Sequence, residues 1–207
     1  AAAAPALPFL IGNPAQTLLP KGKAPRVVVV GGGWGGLTVA RHLRQLAPSA
    51  EVVMLERNPT FFSCPLSNKW LIDVVDTAFL THDYLRVSER HGYRFVQCEV
   101  LEIDRGAHRV VTSQGQLDYD FLVIAAGIRY GYEAWFGNDR RAADTTRARF
   151  PAAYVPNAEH VALKRALHGF KGGDWVMNLP PPPQRCPPSP YERACLVAWY
   201  FKTNKIK

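Results

Sequence analysis

Residues 26–30 read RVVVV, a β-branched apolar run without polar alternation, the pattern of a strand buried on both faces of a parallel sheet. The run leads directly into GGGWGG, after which Leu37, Ala40, Leu43 and Leu46 recur three apart near one helical face until Pro48 marks the end. EVVML, at 51–55, is the next buried strand. Together they predict a βαβ unit of about 30 residues. Residues 1–25, rich in Ala and Pro and without a sustained period, read as an extended arm.

Downstream, 81–91 predicts a helix that Gly92 stops. The pattern then shortens: YRFVQCEVLEID, HRVVTS and QLDYDFLVIAAG, divided by RGA and QG turns, read as short strands with hairpin connections. A parallel βαβ followed by an antiparallel meander, closing on the wholly apolar FLVIAAG, predicts an α/β nucleotide-binding domain over 26–155 with a β insertion. Residues 129–157 read as irregular and aromatic. A helix over 159–170, a strand over DWVMNL at 174–179, a proline loop and a helix over YERACLVAWYFK make a second βα unit, so 156–207 reads as the start of a second domain.

Composition narrows the class. Of the 207 residues, 47% are hydrophobic and 20% charged, the balance of a folded soluble domain rather than a disordered chain. No apolar run approaches the roughly 18 residues of a membrane span. A net charge of +8 favours an anionic ligand or partner. Its densest basic patch, DRRAADTTRAR at 139–149, is interrupted by Asp144 and reads as a solvated face. Without an aromatic RNA-binding signature or zinc-finger spacing, nucleic acid is not an expected partner. Cys64, Cys98, Cys186 and Cys195 show no C-x-x-C spacing, so no metal site is expected. The chain has no initiator Met and stops directly after a predicted helix; the expectation is a processed or truncated piece, with the Ala-rich opening hinting at the end of an export signal.

Gly31-x-Gly33-x-x-Gly36 follows a predicted strand and opens a predicted helix. In that place the first glycine makes the tight turn, the second lets backbone approach a pyrophosphate, and the third lets helix pack on strand. Glu56 ends the second strand about 20 positions on, where its carboxylate can accept ribose hydroxyls. The ligand read from these residues is a dinucleotide, and the glycines alone do not divide FAD from NAD.

The second unit divides them. An NADH site there needs a glycine-rich turn of backbone N–H groups, but this turn holds Pro180, Pro181, Pro182, Pro183, Pro187, Pro188 and Pro190. Proline has no N–H and a fixed φ, so the turn is ill suited to a pyrophosphate. A reductase with that site blocked draws electrons from something other than NAD(P)H, which leaves FAD, the redox carrier itself, for the first site. Within the blocked turn, Cys186 follows Arg185 and precedes a helix, a setting that favours the reactive thiolate over a buried inert thiol. Cys98 and Cys195 read as core residues. Cys64, in FFSCPLSNKW at 61–70, sits one short loop after the second strand, toward the sheet edge where the ligand lies; from composition alone a packed small residue is the competing reading.

VVVVGGGWGG, LERNPTFFSCPLSN, YDFLVIAAGI and above all RCPPSPYERA resemble the flavoprotein subunits of the flavocytochrome c sulfide dehydrogenases, from about Arg26 to the end of the chain. The resemblance implies a Rossmann-like two-dinucleotide-domain flavoprotein fold with its second domain incomplete. It implies FAD contacts from Gly31, Gly33, Gly36 and Glu56, with Val100 near the adenine and Ala126 and Gly127 approaching from the last strand. It further implies a thioether from Cys64 to the flavin 8α-methyl, and Cys186 as one half of a redox-active disulfide. The implied activity is periplasmic oxidation of sulfide to sulfur or polysulfide, with electrons passing through FAD to a dihaem c-type cytochrome. A related sulfide:quinone reductase and a non-catalytic flavin-binding or cytochrome-docking fragment are the alternatives. The chain departs from the pattern in lacking any partner for Cys186 after Lys207, in the Pro65-Leu66-Ser67-Asn68 run after Cys64, and in Trp34 within the glycine turn.

Overall fold

The structure, a computed structural model, describes residues 12–156, 158–179 and 186–207. In chain order the elements are β1 (Arg26–Val30), α1 (Trp34–Leu46), β2 (Glu51–Glu56), β3 (Thr60–Phe62), α2 (Ser67–Leu71), α3 (Thr77–Leu80), β4 (Thr81–Asp83) and α4 (Tyr84–His91). Then come β5 (Arg94–Gln97), β6 (Val100–Asp104), β7 (Arg109–Thr112), β8 (Gln116–Asp118), β9 (Phe121–Ile124), α5 (Glu133–Phe136), α6 (Arg140–Arg149), α7 (Ala158–Gly169) and α8 (Ser189–Thr203). Two compact units share these elements without following one linear cut. The first comprises 1–61 and 82–127, the second 62–81 and 128–207.

The first unit is built on a parallel sheet of order β5-β2-β1-β9. Successive strand residues point to opposite faces, so an unbroken apolar run requires cover on both sides. Val27 and Val29 of β1 pack with Val52, Met54, Ala40 of α1 and Tyr84 of α4. Val28 and Val30 pack with Val53, Leu55, Cys98, Val110 of β7 and Leu117 of β8. Helices therefore cover one face and the antiparallel β6-β7-β8 meander the other. Each fully buried valine contributes about 1.5–3 kcal/mol relative to exposure. On α1, Ala40 is buried and Leu37 and Leu43 are partly so, whereas Leu46 ends the helix in solvent.

Several expected elements fold differently. YRFVQ does not join the meander: β5 pairs in parallel with β2, Met54 opposite Phe95, because the sheet leaves that edge of β2 open. The helix expected from residue 81 begins at Tyr84, where the Asp83 carboxylate accepts the Arg86 N–H at 2.9 Å and caps it. FLVI is the edge strand β9, bonded on one side only to β1, and Phe121 and Ile124 are exposed. The arm is anchored at residues 16–20: Leu18 N–H donates to Gln116 O, and Gln116 N–H to Gln16 O.

In the second unit Trp70, Leu71, Leu80, Leu163 and Leu167 of α7, and Val197 of α8 form one core. Part of the stretch read as irregular forms α5 and α6. The basic helix α6 buries no residue, as a solvated face requires. DWVMNL is not a strand. Val176 is exposed, and Trp175 packs edge-on against Phe170 and Phe201 instead, at 5.4 and 5.6 Å between ring centroids. Among the described residues of this unit no parallel strand is present to pair with it, and an apolar run becomes a strand only with a neighbour. Pro180–Pro183 and Arg185, on which the blocked-turn argument partly rests, lie outside the described residues.

Candidate functional site

Parallel strands β1, β2 and β9 end side by side, Val30 opposite both Leu55 and Ile124, and the glycine turn leaves from this edge. Gly31 has φ +100°, a conformation L side chains rarely adopt, and a Cβ there would run into the carbonyl oxygen of Ala125. A Cβ on Gly36 would strike the Gly31 carbonyl oxygen, so helix α1 approaches β1 as only glycine permits. At Gly33, the residue before α1, a Cβ would meet nothing within 4 Å. Its glycine is therefore not required by protein packing and leaves room for an external group.

No side chain caps α1 and its first turn contains no acid, so its N-terminal N–H groups and positive dipole end are directed to an anion from outside. Glu56 closes the turn from β2. Its Oε2 accepts the Gly32 N–H at 2.9 Å, and its Oε1 accepts the Asn58 N–H at 2.9 Å and Asn58 Nδ2 at 2.6 Å. A carboxylate offers about four acceptor positions, so about one is left for a ligand hydroxyl. From α4, Tyr84 donates its hydroxyl to Gly32 O at 2.8 Å. Burial first, then the Glu56 charge, raises that phenol well above the ordinary tyrosine range, so it stays a donor.

Ala126 and Gly127 continue β9 past the turn and are exposed; Gly127 has φ +80° and open space where a Cβ would lie. Val100 opens β6 and is half-buried, two residues after Cys98, whose N–H donates to Glu56 O at 3.0 Å. The structure thus brings Gly31, Gly33, Gly36, Glu56, Ala126 and Gly127 to one sheet edge, with Val100 on the segment bonded to Glu56. A close backbone turn, an open glycine, an anion-seeking helix end and a spare carboxylate acceptor fit a dinucleotide such as FAD. Trp34 does not obstruct this arrangement: it is exposed and packs edge-on against Phe61 at 5.4 Å.

Cys64 and Cys186 belong to the other unit. Half-buried Cys64 donates its thiol to Tyr154 O at 3.3 Å, and its own carbonyl accepts the Ser67 N–H that begins α2. Cys186 is exposed, has φ +55°, and accepts the Ser189 N–H at the start of α8. Cys98 is buried, and burial pushes its thiol up to about 11, which makes it inert. Cys195 is exposed rather than core, since α8 buries Ser189, Arg193 and Val197 along one face and Cys195 lies off it. Sequence reasoning overlooked Tyr84, Asn58, Asn68 and Arg193. Arg193 carried a signal inside RCPPSPYERA, and Asn58 and Asn68 inside LERNPTFFSCPLSN; Tyr84 carried none. Among the described residues there is no cluster that could hold a metal ion, and no helix is long and apolar enough to cross a membrane.

The model of the pyridine nucleotide-disulphide oxidoreductase family matches residues 25–140. That of the central part of the sulfide dehydrogenase (flavocytochrome c) flavoprotein chain matches 160–207. Among curated proteins, the mitochondrial sulfide:quinone oxidoreductase of Mus musculus is 27% identical over 86% of this chain and 39% of its own length. A type II NADH:quinone oxidoreductase of Staphylococcus epidermidis is 31% identical over 49% of this chain and 26% of its own. The chain therefore spans well under half of these relatives. Among solved structures, the sulfide:quinone oxidoreductase of Aquifex aeolicus superposes with a TM-score of 0.50 at 25% identity, covering 61% of this chain and 33% of that one. NDH2 of Plasmodium falciparum, at 14% identity and a TM-score of 0.54 over 70% of this chain and 29% of that one, shares the fold.

Proposed function

The chain belongs to the pyridine nucleotide-disulphide oxidoreductase family, and from that membership we propose that it is the FAD-binding part of an enzyme that oxidises sulfide and passes the electrons to a c-type cytochrome. The observation that carries the reading is the cradle at the β1–α1 turn, in which Gly33 leaves open space before an uncapped helix end while Glu56 keeps an acceptor beside it. The match of 160–207 to the flavocytochrome c chain supports sulfide as donor and a cytochrome as acceptor.

In this reading Gly31, Gly33 and Gly36 hold the pyrophosphate against backbone N–H groups. Glu56 accepts a ribose hydroxyl, Val100 flanks the adenine, and Ala126 and Gly127 border the cofactor from β9. When bound, FAD supplies a two-electron acceptor that can pass electrons on one at a time. Cys64 holds it through a thioether. Cys186 is one half of a disulfide; sulfide opens it, leaving a persulfide on one sulfur and a thiolate on the other. The proposed compartment is the periplasm, in keeping with a c-type cytochrome partner.

Anaerobic titration of the flavin-loaded protein with sulfide and, separately, NADH tests the donor. Sulfide is expected to bleach the flavin and NADH to leave it oxidised; the reverse overturns the reading. The flavin is also expected to stay with acid-precipitated protein, and to be lost in Cys64→Ser.

The likeness to the mouse sulfide:quinone oxidoreductase over 86% of the chain favours a second reading, in which a quinone replaces the cytochrome. Reoxidation of the sulfide-reduced protein by a c-type cytochrome but not by a short-chain quinone separates the two.

A further inference from the structure

We propose that Tyr84 is the positioning residue that turns the Gly33 N–H toward the pyrophosphate of the cofactor, an inference that rests on the reading of the β1–α1 turn given above. Tyr84 opens α4, and its hydroxyl donates to Gly32 O at 2.8 Å. A trans peptide is planar, with its C=O and N–H pointing in opposite directions. Gly32 O and the Gly33 N–H belong to one peptide, so an oxygen held toward Tyr84 directs that N–H away from it. Gly33 is exposed, and among the described residues no acceptor meets its N–H.

The preceding peptide is fixed as well. The Gly32 N–H donates to Glu56 Oε2 at 2.9 Å, and the Gly31 carbonyl oxygen lies against α1, where a Cβ on Gly36 would strike it. Two consecutive peptides are thus held by side chains from two elements, β2 and α4, and neither rotates without breaking a hydrogen bond. Of the N–H groups in the turn, that of Gly31 donates to Leu55 O and that of Gly32 to Glu56, which leaves that of Gly33 for a ligand. Glycine is the residue with the most backbone freedom to lose. Tyr84 removes that freedom at the turn before the ligand arrives, which lowers the ordering cost of binding.

Tyr84 is itself immobilised. It is buried, its ring stacks on Phe95 of β5 at 5.1 Å between centroids, and it meets Phe61 edge-on at 6.3 Å. Burial, then the Glu56 charge, keeps its proton in place, so the bond to Gly32 O persists through the neutral range. The same contact accounts for residue 32. A Cβ there would lie 2.7 Å from Tyr84 Cε1 and 2.8 Å from Cζ and the hydroxyl oxygen, closer than packed atoms approach. Gly32 occupies a position that the Gly-x-Gly-x-x-Gly spacing leaves open, and it is glycine because the phenol lies against it.

The test uses Tyr84→Phe, which keeps the ring and removes the hydroxyl. Affinities for ADP, which carries a pyrophosphate, and for adenosine, which does not, are measured by displacement of FAD in the Cys64→Ser background. Tyr84→Phe is expected to weaken ADP by about three- to tenfold, the loss of one neutral hydrogen bond, and to leave adenosine within about twofold of wild type. Unchanged ADP affinity, or equal losses for both ligands as a merely structural residue gives, overturns the proposal. A second measurement needs no variant: the backbone amide resonances of the wild-type protein are followed as inorganic pyrophosphate is added. The Gly33 amide is expected to move most, and those of Gly31 and Gly32, already bonded within the protein, to move less. An unmoved Gly33 resonance, or a larger movement at Gly32, overturns the proposal. Wild-type protein that binds neither FAD nor ADP defeats the dinucleotide reading itself, and the pyrophosphate titration then still decides whether the turn presents the Gly33 N–H.

Discussion

The Glu56 carboxylate accepts the Gly32 N–H at 2.9 Å, so the acid that ends β2 also fixes the turn that begins α1. Glu56→Gln keeps the shape but replaces an acceptor oxygen by an N–H₂ donor, which would face either Gly32 N–H or the donors of Asn58. Hydrogen bonds to a charged group are worth about 1.5–3 kcal/mol, so flavin affinity is expected to fall by about ten- to a hundredfold. Fluorescence titration with FAD in the Cys64→Ser background, where binding is reversible, measures it.

Gly36 and Gly33 separate packing from binding. A Cβ at residue 36 collides with the Gly31 backbone, which cannot swing aside as a side chain would. Gly36→Ala is expected to destabilise the apoprotein by about 1–3 kcal/mol, as overpacking does. A Cβ at residue 33 meets no protein atom. Gly33→Ala is expected to leave the apoprotein's thermal midpoint near wild type and to weaken FAD binding, so equal thermal losses in both variants contradict the division.

The β1–α1–β2 unit was legible because its signals are local: an unbroken apolar run, three glycines and an acid lie within about 30 residues. DWVMNL was misread because apolar content does not reveal whether a neighbouring strand exists, and Cys195 because a two-residue step around α8 turns a side chain off its buried face. Neither YRFVQ nor FLVI announced its place in the sheet, which depends on the strand it meets. The polar surroundings of Cys64 had no local pattern to follow, since Tyr154 is 90 positions away and Arg193 lies 125 from Asn68.

Arg26 is fully buried, and its Nε meets Glu51 Oε2 at 2.7 Å. Its terminal nitrogens donate to Leu19 O, Pro20 O and Asp118 O, so one side chain ties the arm, β2 and the last residue of β8 together. Removing Glu51 strands a buried charge, and Glu51→Ala is expected to cost about 3–5 kcal/mol. Replacing both partners by apolar residues removes the charge as well, so Arg26→Met with Glu51→Leu is expected to recover much of that loss. Urea midpoints for the single and double variants check it, and faster proteolysis within 12–24 in Glu51→Ala is the expected local sign.

His160 supplies a pH dependence in the second unit. It is buried against Phe62 at 5.2 Å between ring centroids. Burial first, then the Arg193 cation, lower its pKa to about 4, with the Val155 backbone working the other way. In the unfolded chain a histidine titrates near 6.5. Between those values the unfolded state binds the proton and the folded state does not, so the contribution is complete above about 6.5 and is lost as pH falls toward 4. The difference corresponds to up to about 3 kcal/mol. Carboxylates titrate in the same range, so the comparison with His160→Phe carries the prediction. Denaturant midpoints followed by tryptophan emission are expected to fall more steeply for the wild type than for His160→Phe between pH 7 and about 4. Parallel curves would mean that His160 takes up its proton in the folded state as readily as in the unfolded one.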